Sequence, residues 1–362
     1  MKRKGLVRLV VLRCCGCAAV GLLVSCAAPA FAQSAVADPA ATVLAREVAS
    51  RGWILFSART EAGDYDLFIS RPDGSGRRNL TQTTNANEFG GRFSPDSKQM
   101  LYRRQARGPT NAEPSGINHD LWGAKGALVI AAADGSEPKL QGEEGAYPWA
   151  SWSPDGTRIA CLYKREGMIR IFDLPTKKLV RELPRRGIFQ QLFWSPDGKL
   201  LCGTANLNGQ DWNIVSIDLA TGAETLLSRS LNCTPDWFQG DSHRVIYSNR
   251  TPGLASEYGW TMLMQATADG KSRTLICGER GRHLYYGCTS PDDKYVIFAE
   301  PESDGGTDAN MAIIRLADTP IIVPEDYVQL RTLYPDAKSG PILRLPVAGF
   351  EPHWTYAEVG SK

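Results

Sequence analysis

One pentapeptide constrains this chain more than any other feature. Trp-Ser-Pro-Asp-Gly occurs at residues 152–156 and again, unchanged, at 194–198. Looser copies stand at 93–97 (FSPDS), 237–241 (WFQGD) and 289–293 (TSPDD), and His353-Trp354 echoes it near the end. Each of the five full copies is followed by an apolar run: QMLYRR, RIACLY, KLLCGT, RVIYSN and KYVIFA. The anchor residues Phe93, Trp152, Trp194, Trp237, Thr289 and Trp354 are 59, 42, 43, 52 and 65 positions apart. A bare period near 42, in short runs of β-branched and aromatic residues bounded by Gly, Pro and Asp, is the signature of a four-stranded propeller blade. Asp-Gly supplies the positive backbone angles of tight hairpins. No stretch of helical period competes.

Counting anchors gives six blades. The first unit begins at Trp53 without an inner strand, and the last segment, 349–354, is an inner strand with nothing after it. The chain end is therefore expected to complete blade one, closing an all-β, six-bladed propeller over residues 52–356 and leaving no open edge. In the turn, Trp is expected to wedge between blades. Ser or Asp would cap the backbone, Pro would preset an angle, and Gly would allow the reversal.

Residues 1–32 read as a leader. Lys2, Arg3, Lys4, Arg8 and Arg13 precede the apolar run CCGCAAVGLLVSCAA, and Ala30-Phe31-Ala32 gives small residues before Gln33. That is a secretory signal peptide. Leu23-Val24-Ser25-Cys26 also fits a lipobox, in which the leader ends at residue 25 and Cys26 carries lipid. Both readings place the protein in the periplasm or at the cell envelope. Residues 33–51 read as a tether with at most one helical turn, and 357–362 as a tail.

The formal charge of +2 belongs to the leader. Its five basic residues and no acidic ones leave 33–362 at −3, and no basic patch marks a nucleic-acid partner. Four of nine cysteines lie in the leader. Cys161, Cys202, Cys233, Cys277 and Cys288 are widely spaced without C-x-x-C, and read as buried free thiols.

The strand–turn pattern resembles the WD-like repeats of the TolB family of propellers, over residues 52–356. That resemblance implies a periplasmic six-bladed propeller that binds cell-envelope proteins. The family's α/β domain before the propeller has no counterpart here, since about 20 residues separate the leader from the first strand. Similar repeats occur in propellers of prolyl oligopeptidase-type peptidases and of oligogalacturonate lyases. No G-x-S-x-G elbow is present for the former. The latter sets the alternative, a metal-assisted carbohydrate-active enzyme at the pore, with His283, His353 and Glu351 as candidate ligands. The chain has four histidines in all, a sparse supply.

The expected role is non-catalytic: a protein-, peptide- or glycan-binding module, monomeric and without a cofactor. Three surfaces are candidates. Residues before each turn, Glu88, Tyr147, Gln191, Asp236, Tyr286 and Glu351, are expected at the axial mouth. Their acidic and aromatic types suit a ligand with hydrogen-bond donors. The other two are insertions, 105–126 in blade two and 319–341 in blade six, where Tyr327, Leu330, Leu333 and Tyr334 fall at helical spacing. The acidic loop 302–310 is read as a hairpin tip.

Overall fold

The computed structural model describes residues 38–107, 126–142, 149–163, 167–207, 212–229, 231–250, 261–278, 282–301, 309–316, 321–322 and 341–360. Residues 1–37, Tyr147, His119, most of the acidic loop and most of both insertions lie outside them.

Six antiparallel sheets form the six blades. Their inner strands, from blade one to blade six, are Phe350–Thr355, Ala86–Phe93, Trp149–Trp152, Ile188–Trp194, Asn232–Trp237 and Tyr285–Thr289. The ring closes through the chain end. Phe350–Thr355 runs antiparallel to Trp53–Arg59, with Trp53 opposite Thr355, Ile54 opposite Trp354 and Leu55 opposite His353. Among the described residues, five blades have four strands. Blade five has a fifth, because Ile321-Ile322 from the long insertion pairs with Thr274 and Leu275 on its outer strand. The insertion that interrupts blade six thus reaches its neighbour.

The repeated turn explains its own sequence. Ser94, Ser153, Ser195 and Ser290 each donate Oγ to the Asp two residues on, at 2.7, 2.5, 2.7 and 2.8 Å. Each same hydroxyl accepts the backbone N–H five residues on, from Gln99, Arg158, Leu200 and Tyr295. The last turn position needs a positive φ, +69° at Gly156 and +77° at Gly198. The looser copies force Ser97 and Asp293 into the same region, at +56° and +54°, a conformation that costs an L-residue about 1–2 kcal/mol. The indoles wedge between blades as expected. Trp152 Nε1 donates to the Arg92 carbonyl at 3.2 Å, and Trp237 Nε1 to the Phe193 carbonyl at 3.0 Å. Cys161, Cys202, Cys233, Cys277 and Cys288 are buried free thiols.

One expectation fails. The stretch read as a tether with at most one helical turn is a ten-residue helix over Pro39–Val48. Asp38 caps it by accepting from Ala40 N at 2.9 Å, and proline occupies its first turn, an arrangement that satisfies an orphan donor and presets φ. Leu44 and Val48, four residues apart and so on one face, are fully buried. They share a core with Leu345 and Val347 of blade six and with Ile54, Phe56 and Trp354 of blade one. Glu47 bonds the Tyr295 hydroxyl and the Arg315 guanidinium. The helix therefore covers the seam where the ring closes. Residues 357–360 are docked too: Glu358 pairs with Arg71 at 3.0 Å and accepts from Trp53 Nε1 at 3.1 Å.

Candidate functional site

The inner strands share an irregularity that positions the axial residues. Gly90, Gln191, Thr234, Tyr286 and Glu351, each three residues before its anchor, take φ of +63°, +47°, +49°, +58° and +51°. At each, pairing with the second strand shifts register. These are β-bulges, which bend a strand and re-aim its side chains. Blade three keeps regular pairing through Trp149 and Trp152. In five of the six blades the residue just before the anchor lines a funnel at the turn end of the axis: Arg92, Ser151, Phe193, Asp236 and His353. Its volume is about 510 Å³, inside the roughly 300–1,000 Å³ of small-ligand sites. Pro95, Pro154, Pro196 and Pro291 of the turns form its rim.

An ion pair crosses the floor. Arg92 Nη1 of blade two donates to Asp236 Oδ2 of blade five at 2.6 Å. In a ring of six these blades stand opposite one another, so the pair spans the axis. Asp236 Oδ1 also accepts its neighbour's N–H, from Trp237 at 2.9 Å. Burial pushes the Asp236 carboxyl up, and Arg92 pulls it back in part. The Arg92 guanidinium lies over the Phe193 ring at 4.4 Å. His353 Nδ1 accepts the Phe93 N–H at 3.1 Å. Burial, with the Arg92 cation beside it, holds that imidazole well below its ordinary pKa. It is neutral, and its proton sits on Nε2.

Beneath this floor the axis is packed. Arg103 Nη2 donates to Glu351 Oε1 and Oε2 at 2.8 and 2.6 Å, both side chains buried, and Arg103 stacks on Trp149 at 3.7 Å. Gly90 has to be glycine there: a Cβ would stand 2.7 Å from Arg103 Nη2 and 3.0 Å from Glu351 Oε2. Phe350 meets Tyr65, Phe89 and Tyr286 with ring centroids 5.7, 6.0 and 6.1 Å apart.

The six residues expected at one mouth are therefore spread along the axis. Asp236 lines the funnel. Glu351 lies one layer down against Arg103. Gln191 is buried and accepts from Thr204 Oγ1 at 2.7 Å, and Tyr286 packs half-buried among the aromatic rings. Glu88 is fully buried, accepting from Thr83 Oγ1 at 2.8 Å and from Arg104 Nε at 3.0 Å. Burial, with the Asp66 carboxyl beside it, pushes Glu88 up to about 7. Tyr147 lies outside the described residues. Of the proposed metal ligands, His353 and Glu351 hold the partners just given. His283 bonds Thr261 Oγ1 at 3.1 Å and stacks on Tyr285. Among the described residues, no three His, Cys, Asp or Glu side chains are grouped to hold a metal ion. Arg92 was missed by sequence reasoning. Its signal was its place immediately before an anchor, the place Asp236 holds three blades on.

These features define a six-bladed β-propeller with a funnel at the turn end of its axis. Its fold is that of TolB-like propellers. TolB from Acinetobacter baumannii superposes with a TM-score of 0.61 at 17% identity, over 84% of this chain and 67% of that one. A putative TolB from Agrobacterium tumefaciens gives 0.52 at 18% identity, over 83% and 90%. A chain of a nidogen/laminin complex gives 0.53 at 12% identity, over 77% and 95%. No protein-family model and no curated protein matches the sequence.

Proposed function

We propose that the protein is an exported, non-catalytic binding module of the cell envelope that engages a protein, peptide or glycan at the turn-end funnel. The observation that carries this reading is the funnel itself, a cavity of about 510 Å³ floored by an ion pair that joins opposite blades. Concave sites on rigid scaffolds are the usual home of recognition. Aromatic walls with a few fixed polar groups hold a chain-like ligand without requiring a reaction. The leader supports export, and the likeness to TolB propellers agrees with it. A similar propeller fold in a nidogen/laminin complex supports protein binding as the mode. Of the six residues before the turns, Asp236 is the one that lines the funnel, and Arg92, Phe193 and His353 line it beside Asp236. The insertion 319–341 is a second contact surface of the same module.

The test is capture from envelope extract with the mature chain, with the Arg92→Ala/Asp236→Ala double variant, and with a chain lacking 319–341. The reading expects a discrete captured partner that the double variant loses and the loop deletion weakens. Equal capture by the wild type and the double variant would remove the funnel from the account. Fractionation with and without globomycin separates a soluble export product from one lipidated on Cys26.

A further inference from the structure

The hydrogen bonds at the funnel floor are unevenly used. Asp236 has both oxygens engaged, one by Arg92 and one by Trp237 N. Arg92 spends Nη1 on Asp236, and its Nε and Nη2 donate to nothing among the described residues. His353 Nδ1 is taken by the Phe93 N–H, so its Nε2–H is the unused atom. In the wall, Trp152 and Trp237 donate their indole N–H groups to carbonyls of the preceding blade. Trp194 Nε1, in the same role, is buried without an acceptor among the described residues. Across Arg92, Asp236 and His353, which make the floor, the unspent capacity is therefore on donors. The expectation from the acidic residues before the turns was the reverse, a site for a donor-bearing ligand.

The geometry of those donors is specific. With Nη1 occupied, the free edge of Arg92 is its Nε–Nη2 side, two parallel N–H groups at the spacing of a carboxylate's oxygens. The Phe193 ring under the guanidinium, at 4.4 Å, fixes its plane, so little freedom is lost when that edge is used. The funnel is also blind. Below the floor stand the Arg103–Glu351 pair and the rings of Phe350, Tyr65 and Phe89, with a separate void of only about 20 Å³ between. A chain cannot thread through, and a chain end fits a blind funnel with the fewest residues.

We infer that the funnel receives the C-terminus of a partner polypeptide, whose terminal carboxylate is held bidentately by the Nε–Nη2 edge of Arg92 and by His353 Nε2–H. This rests on the funnel being the binding site, and adds which end of which chain it takes. Asp236 is then a positioning residue, holding Arg92 across the axis and accepting no part of the ligand. The last side chains of the bound chain lie between the prolines of the rim and the aromatic wall.

The experiment uses the mature protein and N-terminally biotinylated octapeptides of randomised sequence, made as matched free acids and C-terminal amides. Binding is read by biolayer interferometry and, in solution, by tryptophan fluorescence. The expected result is a set of free acids that bind, whose amides are weaker by about ten- to a hundredfold, the effect of losing hydrogen bonds to a charged group. Arg92→Lys keeps the charge and removes the fork, and is expected to lower free-acid affinity about tenfold or more while the thermal midpoint stays near wild type. Equal binding of acids and amides, with tryptophan fluorescence still responding, would overturn the carboxylate and leave the funnel. Failure of every peptide in both forms, or oligogalacturonate binding where peptides do not, would overturn the inference as a whole. Should Arg92→Lys fail to fold, the acid–amide comparison on the wild type decides alone.

Discussion

The two ends of the propeller's axis are built from the same inner strands, yet they differ in what their polar groups do. At the packed end Arg103 and Glu351 meet with buried side chains, and aromatic rings fill the remaining space. At the turn end Arg92 and Asp236 meet at the same 2.6 Å, but beside a cavity, and donors are left over. A buried pair walled in by packed aromatic rings fixes structure. A pair at the floor of a funnel, with capacity unspent, is available to a ligand. The difference comes from the bulges, which in blades one, two, four and five place the residue two positions after the positive-φ residue in the funnel.

Substitutions should separate the two ends. The largest effect is expected from Phe350→Ala, which removes the ring that Tyr65, Phe89 and Tyr286 share. It should cost about 3–5 kcal/mol in chemical denaturation with no selective effect on binding. Glu351→Gln comes next. It takes the counter-charge from a buried guanidinium and should cost about 3 kcal/mol. A cost near zero would mean that water already reaches the packed end. At the turn end Asp236→Asn should cost only about 1 kcal/mol, because water in the funnel can replace the lost partner, yet it should weaken the captured partner by loosening Arg92.

The gentlest test uses pH. Burial and Asp66 raise Glu88 to about 7 at the packed end, where it accepts from Thr83 and Arg104. A carboxyl raised in the folded state binds its proton more tightly there than in the unfolded chain. Its contribution is whole below the ordinary carboxylate range and is lost as pH rises through about 7. Melts from pH 4.5 to 8 should show that loss in the wild type and not in Glu88→Gln. An unchanged slope in the variant would assign the dependence to another group.

The architecture was legible because its determinants are local. Ser, Asp and Gly of each turn bond within a few residues of one another, so the motif carries its geometry with it. The missing inner strand of blade one and the spare strand at the end could be counted from the sequence. The seam helix left a signal, Asp38-Pro39 before Leu44 and Val48, but so short an apolar stripe takes its stability from the blades it touches, and those are distant in sequence. The site was legible only in part. Glu88, Gln191 and Asp236 stand five, three and one residues before their anchors, and with regular alternation all three would face one way. The bulge adds a residue between them, and a fixed offset cannot register it. Arg92 went unnoticed because its meaning depends on Asp236, 144 residues away.

Hydrogen exchange, on the free protein and on its complex with the tightest free-acid octapeptide, tests the two-ended axis most directly. Slowed exchange is predicted around residues 93–98, 152–157 and 237–241, at the turns and the strand ends that frame the funnel, with residues 283–287 at the packed end unchanged. Protection that appeared at 283–287 and spared the turns would put the ligand at the wrong end of the ring and contradict the account.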